Sequence, residues 1–157
     1  MPLILTAFLG LLVQAAAPLT VAERFFVGRT EGVGRVSIVL SGQHGVRVHT
    51  RGRVERDGAL VLDQVVEEEG KPARRRTWRL VRSGPNRFTG TINDARGPVA
   101  GELAGNVLRL TYRSAEGPSV EHVITIRPDG RSAHNRTRFR RFGLTVATVE
   151  EVIRRVD

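Results

Sequence analysis

Apolar and polar residues alternate with a period of two along much of this chain. Between residues 46 and 55, Val46, Val48 and Val54 fall on one side, and Arg47 and Arg51 fall on the other. The same alternation recurs over residues 107–113, 120–127 and 133–140. Such a pattern is typical of antiparallel strands that bury one face and expose the other to water.

Turn-forming residues separate these segments at short intervals. The clearest signal is Asp57-Gly58, which suits a two-residue hairpin turn because glycine tolerates positive φ. We count about ten short strands, with no room for crossover helices. The sequence therefore predicts an all-β fold, an antiparallel meander that forms a barrel or a curved half-barrel. Its interior is predicted to contain Val46, Val48, Leu60, Leu62, Trp78, Leu80, Phe88, Leu108, Leu110, Ile124 and Phe139.

The C-terminal segment carries two patterns at once. Leu144, Val146 and Thr148 alternate like a strand. The segment Thr148–Glu151 has the form of a helical capping box, and apolar residues follow it at helical spacing up to Val156. We predict a last strand from about Leu144 and leave open a short helix at the end.

The N-terminus differs from the rest. No charged side chain precedes Glu23, and an apolar run is followed by small residues. This run is shorter than the roughly 20 residues that a membrane-spanning helix needs, and its form is that of a secretory signal. We predict a signal peptide over residues 1–22, with a buried helix or an uncleaved anchor as the alternative. Three cleavage positions fit, after Ala15, Ala17 or Ala22.

The remaining residues, 23–157, are long enough for a single domain with a sizeable core. The chain contains no cysteine. A disulfide, a thiolate zinc site and a lipid-anchoring cysteine are therefore all excluded. We expect a soluble periplasmic protein rather than a lipoprotein.

The chain is basic, with a formal net charge of +9. A basic surface attracts phosphate groups, but aromatic residues make up only 5% of the chain, which is poor for stacking on bases. Nucleic acid is therefore an unlikely partner, and an anionic membrane surface is the better candidate.

One strand face concentrates the positive charge. It carries His134, Arg136, Arg138, Arg140 and, next to it, Arg141. The alternative is a solvated edge that opposes aggregation.

Four candidates for ligand binding stand out, although the sequence does not determine whether Arg76 faces inward. Trp78 is the only tryptophan and shares a strand face with Arg76, so a guanidinium beside an indole is available to a carboxylate. Tyr112 and His122 occupy apolar faces. The alternative for all four is an ordinary packing role. No arrangement of residues indicates a catalytic site, a metal site or a cofactor, so we do not expect an enzyme.

An ordered set of short segments resembles one known family. The set comprises Phe25–Gly28, Gly32–Gly34, Arg76–Trp78, Gly90–Glu102, Ala104–Tyr112, Asn135-Arg136 and Phe142-Gly143. It resembles the bacterial family filed as domain of unknown function 3833, and the resemblance covers Phe25 to Arg154. It implies a small envelope protein with a lipocalin-like barrel and, by analogy of fold, a small apolar ligand.

These observations leave two main functional hypotheses. The first is an exported lipocalin-like barrel that binds a hydrophobic or amphiphilic small molecule, or assists envelope lipid processes. The second is a filled barrel that contacts a protein or an anionic membrane through its arginine-rich face. A cytoplasmic nucleic-acid-binding barrel rests on charge alone, and an enzyme has no residues to carry it. The oligomeric state is not predicted.

Overall fold

The structure, a computed structural model, describes residues 17–157. Residues 1–16 of the predicted signal peptide, with the cleavage position after Ala15, lie outside this part. The elements are α1 (Val21–Phe26), β1 (Gly28–Ile38), β2 (Gly42–Val54), β3 (Leu60–Glu68), β4 (Arg74–Gly84), β5 (Arg87–Ile92), β6 (Ala95–Ala104), β7 (Val107–Ser114), β8 (Ser119–Ile126), β9 (Ser132–Arg141) and β10 (Leu144–Arg155).

The ten strands form a closed antiparallel barrel in which each strand pairs with the next along the chain. Closure comes from β1 and β10, whose register places Thr30 opposite Arg155 and Ile38 opposite Ala147. The prediction of an all-β meander is therefore confirmed, and the barrel is closed rather than a half-barrel. Among residues 17–157, closure leaves no strand edge unpaired. No helix within residues 17–157 has the length and apolar character needed to cross a bilayer.

A short helix at the C-terminus, which the sequence left open, does not form. β10 continues as a strand through the apparent capping box at Thr148–Glu151 and ends at Arg155. The strand lies between β1 and β9 and has backbone partners on both sides. Two full ladders of hydrogen bonds outweigh a weak local preference for helix, which is the usual way in which tertiary context overrides propensity.

The helix α1 closes one end of the barrel. Thr20 and Glu23 form a capping box, and Phe25 and Phe26 are buried beneath the strands. Gly52 on β2 permits this packing, because a Cβ atom there would lie 1.8 Å from the carbonyl oxygen of Phe26. The predicted domain boundary at Glu23 falls inside this helix.

The interior contains two apolar clusters. The larger one fills the end closed by α1 and includes Trp78 and Tyr112. The smaller one consists of Val36, Val46, Val48 and Val66, near the opposite end. All the predicted interior residues are buried except Phe139, which is partly buried against the larger cluster. The prediction of which strand faces point inward is confirmed.

Candidate ligand-binding cavity

A cavity of about 440 Å³ occupies the barrel on the side away from α1. Its wall on β1, β2 and β3 is formed by the four valines of the smaller cluster and by Ile38. The hairpins β3–β4 and β7–β8 line its outer end through Lys71 and Glu116. Small-molecule sites usually enclose about 300–1,000 Å³ and are mostly apolar, with a few placed polar groups. Polar side chains lie at both ends of this cavity, and those at the inner end include Arg76, His122 and Glu151.

Arg76 on β4 points into the barrel, which the sequence did not determine. Its Nη2 donates to the side-chain oxygen of Gln64 at 3.1 Å, and its Nε is buried without a hydrogen-bond partner. Burial lowers the pKa of this guanidinium, which nevertheless stays charged. Within residues 17–157 it forms no salt bridge, although the nearby carboxyl groups of Asp94 and Glu151 oppose the lowering of its pKa. Arg76 is thus a cation with unused hydrogen-bonding capacity inside the barrel.

Gln64 on β3 holds the polar groups of this region in place. Its side-chain oxygen accepts from Trp78 Nε1 at 2.8 Å as well as from Arg76, and its nitrogen donates to Thr50 Oγ1 at 3.1 Å. The Arg76 guanidinium carbon lies 5.9 Å from the centroid of the Trp78 ring, a cation–π arrangement. Gln64 therefore fixes both the indole and the guanidinium.

Three of the predicted ligand-binding residues form one aromatic group. The Trp78 ring meets Tyr112 edge-on at 5.5 Å and His122 edge-on at 5.4 Å, and Tyr112 stacks on His122 at 5.9 Å. Burial raises the pKa of Tyr112 to about 12, so its hydroxyl stays protonated. With Arg76, these are the four candidates that the sequence singled out, and the fold brings all of them together. Their role in binding a ligand is untested.

His122 on β8 is neutral and has one nitrogen to spare. Its Nδ1 lies 3.0 Å from Thr137 Oγ1 and 3.4 Å from Asn135 Nδ2, both of which donate to it. The proton of the imidazole therefore resides on Nε2, which is buried without a partner. Burial, aided by the Arg76 charge, lowers the pKa of His122 to about 3. The ring is a neutral hydrogen-bond donor at physiological pH.

Glu151 on β10 is a buried carboxyl group that sequence reasoning missed. It accepts from Asn135 Nδ2 at 3.0 Å, and burial raises its pKa above the usual value. Gly32 on the adjacent β1 makes room for it, since a Cβ atom there would lie 2.3 Å from Glu151 Oε2. In the sequence, the only indication of this is the spacing: Glu151 lies two residues from both Val149 and Ile153, which face inward on the last strand.

The cavity presents unused donors as well as unused acceptors. Arg76 Nε and His122 Nε2 are donors without partners, and Asn135 Oδ1 and Asp94 Oδ1 are acceptors without one. Unpaired buried polar atoms are rare in folded proteins. Arg76 is charged, and its partnerless Nε together with the His122 Nε2 donor favours a ligand atom that is negative or rich in lone pairs.

The predicted anionic-surface residues lie on the outer face of β9, and cross-strand carboxylates pair with most of them. Glu150 on β10 contacts both His134, at 2.7 Å, and Arg136. Glu121 on β8 lies 3.6 Å from Arg138. Among the described residues, only Arg140 and Arg141 of this set have no carboxylate partner. The Arg141 side chain donates to the carbonyl oxygen of Glu116 at 2.9 Å. The free positive charge is confined to the end of the strand.

A second depression, of about 510 Å³, lies against the outer face of β1–β4. Its acidic groups are paired: His49 lies 3.4 Å from Glu31, and Asp63 pairs with Arg53 at 2.6 Å. The side chains of the lining residues Arg29, Arg51 and Arg75 have no carboxylate partner among the described residues. Within residues 17–157, no group of three His, Cys, Asp or Glu side chains is arranged to hold a metal ion. The barrel interior remains the better candidate site.

Comparisons with known proteins agree on the fold. The structure is similar to the S-type phycobiliprotein lyase CPES from Guillardia theta, with a TM-score of 0.67 over 87% of this chain and 91% of the lyase. Only 6% of the aligned residues are identical, so the likeness concerns architecture alone. A search of the curated proteins finds no significant match. A family model matches residues 12–155, nearly the whole chain, and the protein therefore belongs to the family described as "Protein of unknown function (DUF3833)".

Proposed function

We propose that this protein binds a small amphiphilic molecule in its barrel, with an anionic head group at Arg76 and an apolar tail along the valine wall. The observation that carries the proposal is the unpaired, buried Nε of Arg76 at the inner end of an apolar cavity. The head group that fits best is a carboxylate, because a guanidinium meets two carboxylate oxygens with two parallel hydrogen bonds. His122 Nε2 supplies a further neutral donor in the same cavity.

The energetic costs of the unpaired polar groups favour a cavity with a bound ligand over an empty one. Arg76 is partly buried, and the nearby carboxyl groups of Asp94 and Glu151 offset its charge only in part, so it carries some of the desolvation penalty of a buried ion. A buried donor without an acceptor costs a further ~1–3 kcal/mol. A ligand carboxylate would offset both costs at once. The valine wall would receive the apolar remainder of the ligand, at ~25 cal/mol for each Å² removed from water.

The structural neighbour is consistent with this proposal without specifying it. It is a lyase, so the architecture serves an enzyme in that protein, and the likeness decides neither for nor against a reaction here. The polar groups described above suit binding: an arginine, a neutral histidine and a carboxyl group with a raised pKa. We therefore propose binding rather than catalysis.

The test compares dodecanoic acid with 1-dodecanol, which share a chain but not a charge. Trp78, the only tryptophan, reports binding by its fluorescence because it contacts Arg76. The acid is expected to bind at least about tenfold more tightly, since a charge-assisted hydrogen bond is worth ~1.5–3 kcal/mol. Arg76→Gln is expected to remove this preference, and Arg75→Gln, on the outer face of the same strand, to keep it. Equal binding of acid and alcohol, or no binding of either, would refute the proposal.

We also propose that the protein is exported to the periplasm and is cleaved before Thr20. The apolar N-terminal run supports export. Cleavage after Ala22 would remove the Thr20 cap and Ala22 itself, which is buried in the core. Cleavage after Ala15 or Ala17 leaves α1 whole. The measurement is the intact mass of protein purified from the periplasm of a Gram-negative host. A mature chain that starts at Glu23, or an uncleaved chain, would contradict this proposal.

A further inference from the structure

Large apolar side chains are exposed together at the rim of the cavity. Leu40 and Phe142 are fully exposed, at 102% and 100% of their reference areas, and Val39 and Leu144 are exposed beside them. Among the described residues, only two other large apolar side chains are exposed, Val33 and Val156. The four residues occupy the β1–β2 and β9–β10 hairpins. We call them the apolar rim.

The two hairpins lie side by side. β1 and β10 are paired, and the backbone of Val39 donates to the carbonyl oxygen of Val146 at 3.0 Å. Residues next to both tips line the cavity, among them Ile38, Phe139 and Val146. The apolar rim therefore borders the cavity, at the opposite end of the barrel from α1.

Both tips hold a bulky side chain in an unfavourable backbone conformation. Leu40 has φ of 66° and Phe142 has φ of 51°, the left-handed region that glycine or asparagine normally occupies. The neighbouring Gly42 and Gly143 also have positive φ, at 84° and 77°. Exposure to water and a left-handed backbone both disfavour leucine and phenylalanine at these tips. Their presence is explained if the side chains contact something outside the barrel.

The charges beside the apolar rim are cationic. Arg140 and Arg141 immediately precede Phe142, and they are the two arginines of β9 that no described carboxylate neutralises. Of the carboxylates on other hairpins at this end, Glu68 lies 3.3 Å from Lys71 and Asp94 pairs with Arg74, whereas Glu69 and Glu116 have no ion-pair partner among the described residues. Apolar tips flanked by free arginines match a bilayer interface, where acyl chains lie below a layer of phosphates.

We propose that the apolar rim docks the barrel, with its cavity facing the lipid, on an anionic membrane surface. Leu40 and Phe142 enter the boundary between head groups and acyl chains, and Arg140 and Arg141 contact lipid phosphates. The inference goes beyond ligand binding and does not need an occupied cavity. It gives an amphiphile a route between bilayer and barrel without exposure of its tail to water.

The test measures co-sedimentation of the ligand-free protein with vesicles of 3:1 phosphatidylcholine and phosphatidylglycerol, and with pure phosphatidylcholine. The wild type is expected to bind the anionic vesicles in a salt-sensitive manner. Leu40→Ser with Phe142→Ser is expected to weaken binding at least about tenfold. The matched control is Val33→Ser, which removes an exposed apolar side chain from the outer wall of β1 and is expected to have no effect.

The arginines are tested in the same way. Arg140→Gln with Arg141→Gln is expected to remove most of the salt-sensitive binding. The pair Arg47→Gln and Arg51→Gln removes the same charge from exposed positions on β2 and is expected to leave most of it in place. Equal losses in the two pairs would show that net charge alone drives binding, and would overturn the assignment of the site.

Glycine substitutions separate a membrane role from a structural one. Leu40→Gly with Phe142→Gly relieves the left-handed strain, so its melting temperature is expected to rise while vesicle binding falls. Sedimentation velocity distinguishes another occupant, a second copy of the chain. Vesicle binding that survives loss of the apolar rim would overturn the proposal, as would a wild-type dimer that the serine variants dissociate. Dodecanoic acid binding by these variants shows separately whether the cavity is intact.

Discussion

Arg76→Met is the substitution that best separates a ligand-binding arginine from a structural one. Methionine fills a similar volume and removes the charge together with the unpaired Nε. Gln64 is not left unsatisfied, because its oxygen still accepts from Trp78 Nε1. The substitution therefore leaves no amide oxygen unpaired at Gln64, and it also removes the positive charge that opposes the rise in the pKa of Glu151.

The expected change is a gain in stability. The variant loses one hydrogen bond from a charged group, worth ~1.5–3 kcal/mol, and a cation–π contact, worth ~0.5–2 kcal/mol. Removal of the guanidinium also removes two destabilising costs: an unsatisfied donor, worth ~1–3 kcal/mol, and the desolvation of the cation, worth about several kcal/mol. We expect a net stabilisation of about 1–3 kcal/mol, in the range found when buried charges are replaced by apolar residues.

The assay is urea unfolding of the ligand-free protein at pH 7, followed by Trp78 fluorescence. Arg75→Met, on the exposed face of β4, serves as the control and should change stability by less than about 0.5 kcal/mol. Saturating dodecanoic acid should stabilise the wild type and have little effect on Arg76→Met. A variant that is less stable than the wild type by more than about 1 kcal/mol would refute the reasoning, because the guanidinium would then hold the empty barrel together.

Three further predictions concern the buried polar groups. The pKa of His122 is lower in the folded protein than in the unfolded chain, so neutral His122 contributes to stability above pH ~6.5 and this contribution is lost as the pH falls. Between pH 7 and pH 5 the free energy of unfolding is expected to fall by about 2 kcal/mol. In urea titrations at both pH values, His122→Gln should abolish this loss, and Glu151→Gln should increase it, since a raised carboxyl pKa acts in the opposite direction. Gly32→Ala should displace Glu151 and lower the free energy of unfolding by ~1–3 kcal/mol, and should cost much less where Glu151 is already Ala. Arg82→Met leaves Glu23 buried without its counter-ion and should lower the free energy of unfolding by about 3 kcal/mol. Arg79→Met breaks only an exposed pair with Asp57 and should have a much smaller effect; thermal melts of the two variants give the comparison.

Alternation of apolar and polar residues was enough to predict the strands and their inward faces. It could not show which way Arg76 points, because residues 74–76 are all arginine and contain no apolar residue that would mark the inward face. It also missed Gln64 and Glu151, since a period-two argument assigns polar side chains to the solvent. These residues are tolerated inside only because partners on other strands satisfy them, and those partners are set by register.

Register also determines how much of the charge of the stripe on β9 is unpaired. Arg136 lies opposite Glu150 on β10, and Arg138 lies opposite Glu121 on β8. Neither pairing is visible as a pattern in one strand. A run of like charges in a single strand says little about net surface charge until the flanking strands are known, because cross-strand pairs neutralise it.

The closure of the barrel has a consequence for the order of assembly. Nine of the ten strand pairings join neighbours along the chain, and only β1 with β10 joins its two ends. Pairing of distant segments is entropically the most expensive, so this seam should form last and open first. The cavity exists only when the seam is closed, and Gly32 and Glu151 meet across it. Bound ligand should therefore slow backbone hydrogen exchange most strongly in β1 and β10. Protection at this one seam would report that the cavity is occupied.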